Sequence, residues 1–390
     1  MPHVSTDEPA MGEPRNCCRE AEDSEYVPYG QRPETYIVPI LFALIFVVGV
    51  LGNGTLVLIF VRNRNMRNIP NTYIFSLALG DLLVILTCVP FTSTVYTVES
   101  WPYGELICKL SECVKDVSIG VSVFTLTALS AERYCAIVNP MRRHAGTRLC
   151  TGSLTLVSAI GIWVLALLFA MPAAVFSYVK SYELEGTHNR TIQVCYPYPT
   201  EFGEAYVQVM VMLKFLAYYA IPLIIIAFFY ILMAKHLEDS TRNMPGEAVT
   251  QAARQQSTQV RARKKVAKMV LAFVVIFILC FLPYHTFMLW FNFYPNSHDM
   301  YDDYWHVFRI VGFCLSFINS CINPIALYCV SRAFRKHYNR YLFCCCLSGE
   351  RRMARNVSTC ESSNTLVHFN STFRRHDNDT VMTNFHLDKT

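Results

Sequence analysis

The side chains of this chain that are most able to take part in specific chemistry are ionisable groups within apolar stretches of sequence. Asp81 lies in one apolar stretch, Lys115 and Asp116 lie in a second, and Lys214 interrupts a third. A charge in apolar surroundings is costly without a partner, so each group is expected to bind an ion, a ligand or another protein group. The pattern therefore indicates a chemistry of binding.

Seven long apolar stretches must position these charges. The 390-residue chain is 53% hydrophobic and 16% charged, whereas soluble domains carry about 25% charged residues. Each stretch is long enough to cross the hydrocarbon core of a bilayer as a helix. The stretches are Tyr36–Phe60, Thr72–Tyr96, Leu106–Val138, Leu154–Val175, Tyr206–Ala234, Val266–Trp290 and Val307–Val330. The predicted fold class is an all-α membrane protein, a seven-transmembrane helix bundle in contact with the lipid bilayer.

The basic residues of the short loops predict the orientation. Arginine and lysine follow the first, third and seventh stretches and precede the sixth, while the loop after the sixth has neither. Because cytoplasmic loops carry the excess of these residues, the N-terminus is expected outside and the C-terminus in the cytoplasm. Residues 1–35 have no apolar segment typical of a cleaved signal peptide, so the first span is expected to act as signal anchor. The net charge of +5 hides this asymmetry and indicates no nucleic-acid partner.

Composition divides the chain into three parts. Residues 1–35 are polar and acidic and are expected to form an extracellular tail. Residues 36–342 hold the helix bundle and a following amphipathic helix. Residues 343–390 are rich in serine, threonine and asparagine, which predicts a disordered cytoplasmic tail.

Short motifs stand at defined places in five of the spans. They are Gly52-Asn53 in the first, Leu77 to Asp81 in the second, Glu132-Arg133-Tyr134 at the end of the third, Phe277 to Pro283 in the sixth, and Asn323-Pro324 to Tyr328 in the seventh. In this order they resemble the GN, LxxxD, DRY, FxxCWxP and NPxxY signatures of rhodopsin-like (class A) G-protein-coupled receptors. Glu132 replaces the usual aspartate, and Phe281 replaces the usual tryptophan.

Longer segments show which groups of class A receptors the chain resembles. Gly80–Leu83, Leu86–Pro90 and Ser118–Ala131 resemble the bombesin and neuromedin B receptor group, and Val89–Thr94 and Val98–Pro102 are similar to the arthropod CCHamide neuropeptide receptors. The resemblance implies a plasma-membrane receptor for an extracellular, amidated, CCHamide-like neuropeptide. It also implies coupling to a heterotrimeric G protein through Gq and calcium, with arrestin and receptor kinases as further partners. A short cytoplasmic eighth helix is expected over residues 331–342.

Other functions stay open at this point. An orphan receptor of the same group, with high basal activity and no peptide ligand, would carry the same motifs. A membrane transporter is a more remote alternative, because the sequence has neither internal repeats nor paired broken helices. An enzyme is not expected, since the spans hold no catalytic constellation and His285 and His306 have no metal-ligand cluster around them.

The resemblance and the helical spacing together predict a ligand pocket near the outer ends of the spans. Lys115 stands where amine receptors have an aspartate, and the seventh span has no lysine for a retinal Schiff base, so a peptide ligand fits best. The candidate ligand-binding residues are Thr92, Lys115, Asp116, Lys214, Phe281, Tyr284, His285, Arg309 and Phe313.

Each candidate has an alternative role in packing or pairing. Lys115 alternatively pairs with a neighbouring carboxylate, and Lys214 alternatively snorkels to the membrane interface. Bombesin receptors have arginines at the positions that Met288 and Phe313 match here, so their pocket does not transfer directly.

The same resemblance implies an ion site and an activation apparatus. The sodium-site candidates are Asp81, Ser122, Asn319 and Asn323, and sodium is the one cofactor expected. The candidates for activation and G-protein coupling are Glu132, Arg133, Tyr134, Pro222, Tyr230, Phe277, Pro283, Pro324 and Tyr328. Arg263 stands where rhodopsin has a glutamate, so Glu132 is the better expected restraint on Arg133.

Covalent features are predicted at the two surfaces. The resemblance and their external position imply a disulfide between Cys108 and Cys195, and Cys17 and Cys18 have no assigned partner. Asn189 lies in an Asn-Arg-Thr sequon and is the expected glycan site. The cluster Cys344, Cys345 and Cys346 follows a basic amphipathic stretch, which predicts palmitoylation, with unmodified thiols as the alternative.

Overall fold

Seven long helices form the framework of the computed structural model. The structure describes residues 29–138, 148–183, 191–242 and 251–343, and the helices belong to a compact unit that ends at Tyr341. The helices are α1 (Glu34–Arg62), α2 (Ile69–Thr87), α3 (Gly104–Val138), α4 (Arg148–Phe176), α5 (Gly203–Arg242), α6 (Gln251–Phe293) and α7 (Asp303–Val330). All seven contain a segment long and apolar enough to cross a membrane, which confirms the predicted spans.

The second span is shorter than predicted. Helix α2 ends at Thr87, and the chain continues as a separate turn, Val89–Thr92, and a 3-10 turn, Ser93–Tyr96. Pro90 has no N–H group to donate and therefore does not continue the helical hydrogen bonding of α2. This break places Thr92 on its own turn at the end of the bundle where α3 begins; we call this end outer and the opposite end inner.

Helix α5 changes its hydrogen bonding midway. Regular segments Gly203–Phe215 and Ile221–Arg242 flank a π-helical turn at Leu216–Ala220. Pro222 lies two residues after this turn, and π-helical turns are frequent at functional sites of helices. The turn carries Tyr218 and Tyr219 into the protein interior.

A β-hairpin between α4 and α5 was not predicted. Strands β1 (Tyr178–Glu183) and β2 (Thr191–Tyr196) pair antiparallel, with Val179 opposite Cys195. Both strands are rich in β-branched and aromatic residues, which favour extended backbone. The all-α prediction is therefore right for the spans but missed this two-stranded element.

The surface of the bundle is apolar, and its interior holds buried polar groups within a mostly apolar core. Leu44, Ile224 and Leu279 are among many large apolar residues exposed on the surface, whereas Asn53 and Asp81 are fully buried. A lipid-facing surface has this distribution, because polar groups in a membrane helix turn toward the bundle interior.

Helix α8 (Arg332–Tyr338) follows α7 after Ser331. Its apolar face buries Phe334 and Tyr338, while its basic residues face outward. The Tyr338 hydroxyl donates to the Gly52 carbonyl oxygen at 3.1 Å, which ties α8 to α1. The predicted eighth helix is present, but it ends at Tyr338 and a π-helical turn, Asn339–Phe343, replaces its last residues.

Candidate ligand site, ion site and activation elements

A large cavity opens among the outer ends of the helices. Its volume is about 710 Å³, and a smaller cavity of about 210 Å³ adjoins it below. Lys115, Tyr284 and Phe313 line both cavities. Thr92 and Arg309 line the outer one alone, and Asp116, Lys214 and Phe281 the lower one alone. Eight of the nine predicted ligand-binding residues therefore lie around one connected space.

His285 is the exception. It is 5% exposed and lines neither cavity. Its ring centroid lies 4.9 Å from that of Tyr219 and 5.7 Å from that of Phe215, both on α5. Because neighbouring positions on a helix point about 100° apart, Tyr284 faces the cavity while His285 packs between α5 and α6. The structure thus gives His285 a packing position rather than a place in the pocket.

The hairpin covers part of the outer cavity and is held in place covalently. Cys108 and Cys195 form a disulfide with a Cα–Cα distance of 5.5 Å, which confirms the predicted bond. The backbone N–H of Trp101 donates to Gln193 O at 2.7 Å, and the Gln193 N–H donates to Ser100 Oγ at 3.0 Å. The loop before α3 and strand β2 therefore act as one unit at the mouth.

Both lysines of the predicted pocket are engaged in ion pairs. Lys115 pairs with Glu112 one turn earlier on α3, and Lys214 Nζ on α5 lies 2.7 Å from Asp116 Oδ2 on α3. The side chain of Lys214 is 13% exposed, so the snorkelling alternative is wrong, whereas the pairing alternative for Lys115 is confirmed. Sequence reasoning missed Glu112 as a pocket residue, although its i, i+3 spacing from Lys115 is a recognisable signal.

Aromatic residues complete the walls. Tyr198, which follows the hairpin, is 6% exposed, lines both cavities, and lies with its ring centroid 5.5 Å from Lys214 Nζ. Burial raises the pKa of its phenol, and the neighbouring Lys214 ammonium offsets part of that rise. Tyr198 therefore stays a neutral hydrogen-bonding group beside the lysine.

Arg309 lies higher in the outer cavity. Its guanidinium is 5.8 Å from the ring centroid of Tyr301, a cation–π geometry. Burial raises the pKa of Tyr301, and the positive charge of Arg309 opposes that rise. The Tyr301 hydroxyl lies 3.1 Å from His306 Nδ1, and His306 Nε2 lies 3.3 Å from Glu34 Oε1. This chain of contacts links α1, α7 and the loop before α7 at the mouth.

The acidic loop before α7 carries negative charge and also caps the first turn of α7. Asp302 is the N-cap of α7 and accepts a hydrogen bond from the Trp305 N–H at 3.1 Å. Asp299 and Asp303 are exposed. The carboxylates Asp299, Asp302 and Asp303 form an acidic rim at the mouth of the cavity, in which Asp302 also caps α7.

The predicted ion site is buried at mid-depth. Asp81 is fully buried, and its Oδ2 accepts from Asn323 Nδ2 at 2.9 Å. Asp81 Oδ1 and Ser122 Oγ make no hydrogen bond among the residues that the structure describes. Ser122 and Asn319 line the inner part of the lower cavity. Buried oxygens without partners suit a hard cation, which takes oxygen ligands, so these residues fit sodium.

Glu132 and Arg133 form an ion pair at the inner end of α3. Arg133 is 5% exposed, and the neighbouring Tyr134 ring centroid lies 5.5 Å from that of Phe229 on α5. Tyr230 of α5 donates through its hydroxyl to the Ala267 carbonyl oxygen of α6 at 2.8 Å. At this end an aromatic contact therefore joins α3 to α5, and a hydrogen bond joins α5 to α6.

The prolines lie at contacts between helices. Gly312 of α7 packs so closely on α6 that a Cβ there would lie 2.9 Å from the Tyr284 nitrogen and 3.1 Å from the Pro283 carbonyl carbon. Pro324 packs its side chain against Gly52 of α1. Phe277 and Phe281, one turn apart beside Pro283, are buried with ring centroids 4.6 Å apart.

Tyr328 is displaced from the NPxxY position. Three residues separate Pro324 from Tyr328, whereas the motif has two, and Leu327 takes the matching position. Leu327 is 1% exposed, while the Tyr328 ring lies beside Tyr338 of α8 and under the Arg335 guanidinium. The identification of Tyr328 with the motif tyrosine was wrong, because a one-residue shift turns a helical side chain by about 100°.

Several predictions concern residues outside the described ranges. These are the tails, Cys17, Cys18, the glycan candidate Asn189, the side chain of Arg263, and the cysteines Cys344, Cys345 and Cys346. They stay predictions.

Comparison with known proteins assigns the class. The family model "7 transmembrane receptor (rhodopsin family)" matches residues 52–328. The chain therefore belongs to the rhodopsin family of seven-transmembrane receptors, which is not an enzyme family, and it is a multi-pass membrane protein.

A curated relative lies within this family. The chain is 61% identical over 333 residues to the neuropeptide CCHamide-1 receptor of Drosophila melanogaster. The match covers 85% of this chain and 65% of the relative, so the chain spans less than two thirds of that relative's length.

Proposed function

We propose that this protein is a plasma-membrane receptor for an amidated, CCHamide-like neuropeptide and that it signals through a heterotrimeric G protein. The observation that carries the proposal is the 61% identity to the Drosophila CCHamide-1 receptor over most of this chain. The cavity of about 710 Å³ supports a peptide ligand, because it is open, wide and lined by aromatic and charged side chains.

The ligand enters from the side of the hairpin. The disulfide between Cys108 and Cys195 fixes strand β2 over the outer end of α3, so the mouth keeps its shape before the peptide arrives. A preformed site loses less conformational entropy on binding, which favours affinity for a flexible peptide. The end of the peptide reaches the level of Lys115 and Tyr284, where the two cavities meet.

Activation is a shift between two states of the bundle. The peptide favours the state in which the inner end of α6 moves away from α3, pivoting near Pro283. This movement breaks the hydrogen bond from Tyr230 to Ala267 and exposes Arg133. A G protein that binds the open state supplies the coupling energy, and peptide and G protein strengthen each other's binding by the same factor.

Asp81 of α2, Ser122 of α3, and Asn319 and Asn323 of α7 would hold a sodium ion, which would supply the positive charge that the buried carboxylate lacks. These residues would favour the resting state when the ion is bound, because that state brings all four together. The protein residues hold the ion, and no covalent chemistry is involved.

The remaining assignments complete the proposal. The N-terminus lies outside and the C-terminus inside the cell, Gq and calcium carry the signal, and arrestin and receptor kinases terminate it. Asn189 carries a glycan, and the cysteines Cys344, Cys345 and Cys346 carry palmitate.

The test uses the full chain expressed at the surface of cells that lack endogenous CCHamide responses. Synthetic Drosophila CCHamide-1 in amidated form should give a saturable calcium response that is absent from untransfected cells. Arg133→Gln should bind the labelled peptide without raising calcium, which separates binding from coupling. A receptor that reaches the surface, signals without peptide and neither binds nor responds to it would contradict the proposal and favour the orphan receptor.

A further inference from the structure

Four charged side chains form the boundary between the two cavities, and we call them the floor cluster: Glu112, Lys115, Asp116 and Lys214. Glu112 pairs with Lys115 within α3, and Asp116 of α3 pairs with Lys214 of α5 at 2.7 Å. Their side chains are between 8% and 21% exposed. Two carboxylates and two ammonium groups make the cluster electrically neutral.

A ligand group at the bottom of the outer cavity meets both signs of charge together. Glu112 and Lys115 line both cavities, so they are within reach from above and below. Tyr198 and Tyr284 flank them with neutral phenols, and Met288 adds an apolar wall. The bottom of the cavity is thus neither a cation site nor an anion site.

The pairing decides which chemical group is accepted. An isolated lysine would favour a ligand carboxylate, and an isolated glutamate would favour an amine. Beside the floor cluster, the repulsion of a carboxylate by Glu112 offsets its attraction to Lys115, and an amine meets the reverse balance, so neither ion recovers the free energy lost when it leaves water. A primary amide carries no charge, donates two hydrogen bonds and accepts others, so its N–H groups suit Glu112 and its oxygen suits Lys115.

We propose that Glu112 and Lys115 act as a pair that selects a primary amide at the inserted end of the ligand and rejects the free carboxylate. Glu112 is then a specificity-determining residue of the site, and Asp116 with Lys214 keeps the surroundings neutral. The inference rests on the proposed function and deepens it by naming the groups that read the ligand's end.

The experiment compares synthetic CCHamide-1 as C-terminal amide and as free acid, by displacement of labelled amide on cells. Wild type should prefer the amide by about 100-fold. Glu112→Gln should narrow that ratio about tenfold, because Lys115 becomes available to the carboxylate. Lys115→Gln should raise the ratio of amide to acid affinity, because the acid then faces Glu112 without a counter-charge.

Glu105→Gln is the matched control. Glu105 also pairs with a lysine on α3, but its side chain is 57% exposed and lines neither cavity.

The opposite shifts separate specificity from simple damage, which would weaken both peptides equally. A ratio unchanged in both variants, or moved in the same direction by both, overturns the inference while leaving the proposed function intact. If Glu112→Gln fails to reach the surface, Lys115→Gln decides alone, and an unchanged ratio overturns the inference. If wild type binds neither peptide, the proposed function fails and the inference falls with it.

Discussion

The bundle buries carboxylates at two depths, and it neutralises them differently. Near the outer cavity, Glu112 and Asp116 each have a lysine of the protein as partner. At mid-depth, Asp81 is held by the uncharged amide of Asn323, and its second oxygen makes no hydrogen bond among the described residues. The upper carboxylates therefore have a resident counter-charge, whereas the lower one has an uncharged partner, and the proposed sodium ion would supply its counter-charge.

The difference separates two tasks. A resident ion pair fixes the shape and charge of a binding site, because its partners cannot leave. A site completed by a mobile cation responds to its surroundings, because the ion binds one state of the helices better than another. Substitutions of carboxylates and cations at different depths are therefore expected to differ in effect, from a large loss of stability to a small change in the association rate.

Asp116→Ala should cause the greatest loss of stability. Removing one partner leaves Lys214 buried without its counter-charge, which costs about 3–5 kcal/mol. The thermal unfolding of the purified receptor measures this effect. The double variant Asp116→Ala with Lys214→Ala should recover much of the loss, since no charge is then stranded. Equal melting temperatures for wild type and Asp116→Ala would show that the pair is not structural.

Arg309→Ala removes a cation of the outer cavity whose neighbour is the aromatic ring of Tyr301. The two lysines of the pocket, in contrast, are paired with carboxylates. Truncation leaves ligand acceptors unpaired at a cost of about 1–3 kcal/mol, so the peptide should dissociate roughly tenfold faster or more. The dissociation rate is measured by following the release of labelled peptide from the receptor after dilution. An unchanged dissociation rate would place Arg309 outside the peptide contact.

Glu132→Gln extends the comparison to the inner end of α3. Loss of the carboxylate frees Arg133 and should lower the free energy of the open state by about 1 kcal/mol, a several-fold change in population. Basal calcium or inositol phosphate should rise accordingly at matched surface expression. Basal signalling equal to wild type would argue that this ion pair does not restrain activation.

The smallest effect is expected from the exposed carboxylates of the rim. Neutralising Asp299 and Asp303, while keeping the capping residue Asp302, should slow peptide association at low salt only. Exposed charges act mainly on encounter rates and are screened by salt. The association rate of the peptide is measured for wild type and variant at two salt concentrations. Equal association rates for the two proteins at low salt would show that these carboxylates do not take part in peptide binding.

Much of the bundle could be predicted because membrane helices have a strong sequence signal. Length and hydropathy gave the seven spans, and the family motifs led to the disulfide that the structure contains. The hairpin was missed because a short strand pair in a loop has no comparable periodicity. The end of α2 was misplaced because apolar composition continues past Pro90, although the helix does not.

The sequence predicted most of the residues that line the pocket, but it did not predict the ion pair between Asp116 and Lys214. The resemblance and the helical spacing together assigned Lys115, Asp116 and Lys214 to one pocket, but they do not show which side chains on different helices meet. The pair between Asp116 and Lys214 depends on the rotation and packing of α3 against α5. His285 illustrates the same limit, because one residue of rotation decides between the cavity and the aromatic contact with α5.

The most direct test of the comparison is thermal unfolding of the purified receptor in sodium and in potassium at equal ionic strength. Sodium should raise the melting temperature of wild type and of Glu112→Gln, because both keep the Asp81 site. Asp81→Asn should melt at the same temperature in both salts. A sodium effect that persists in Asp81→Asn, or one that is absent from wild type, would contradict the claim that the deep carboxylate depends on a mobile cation.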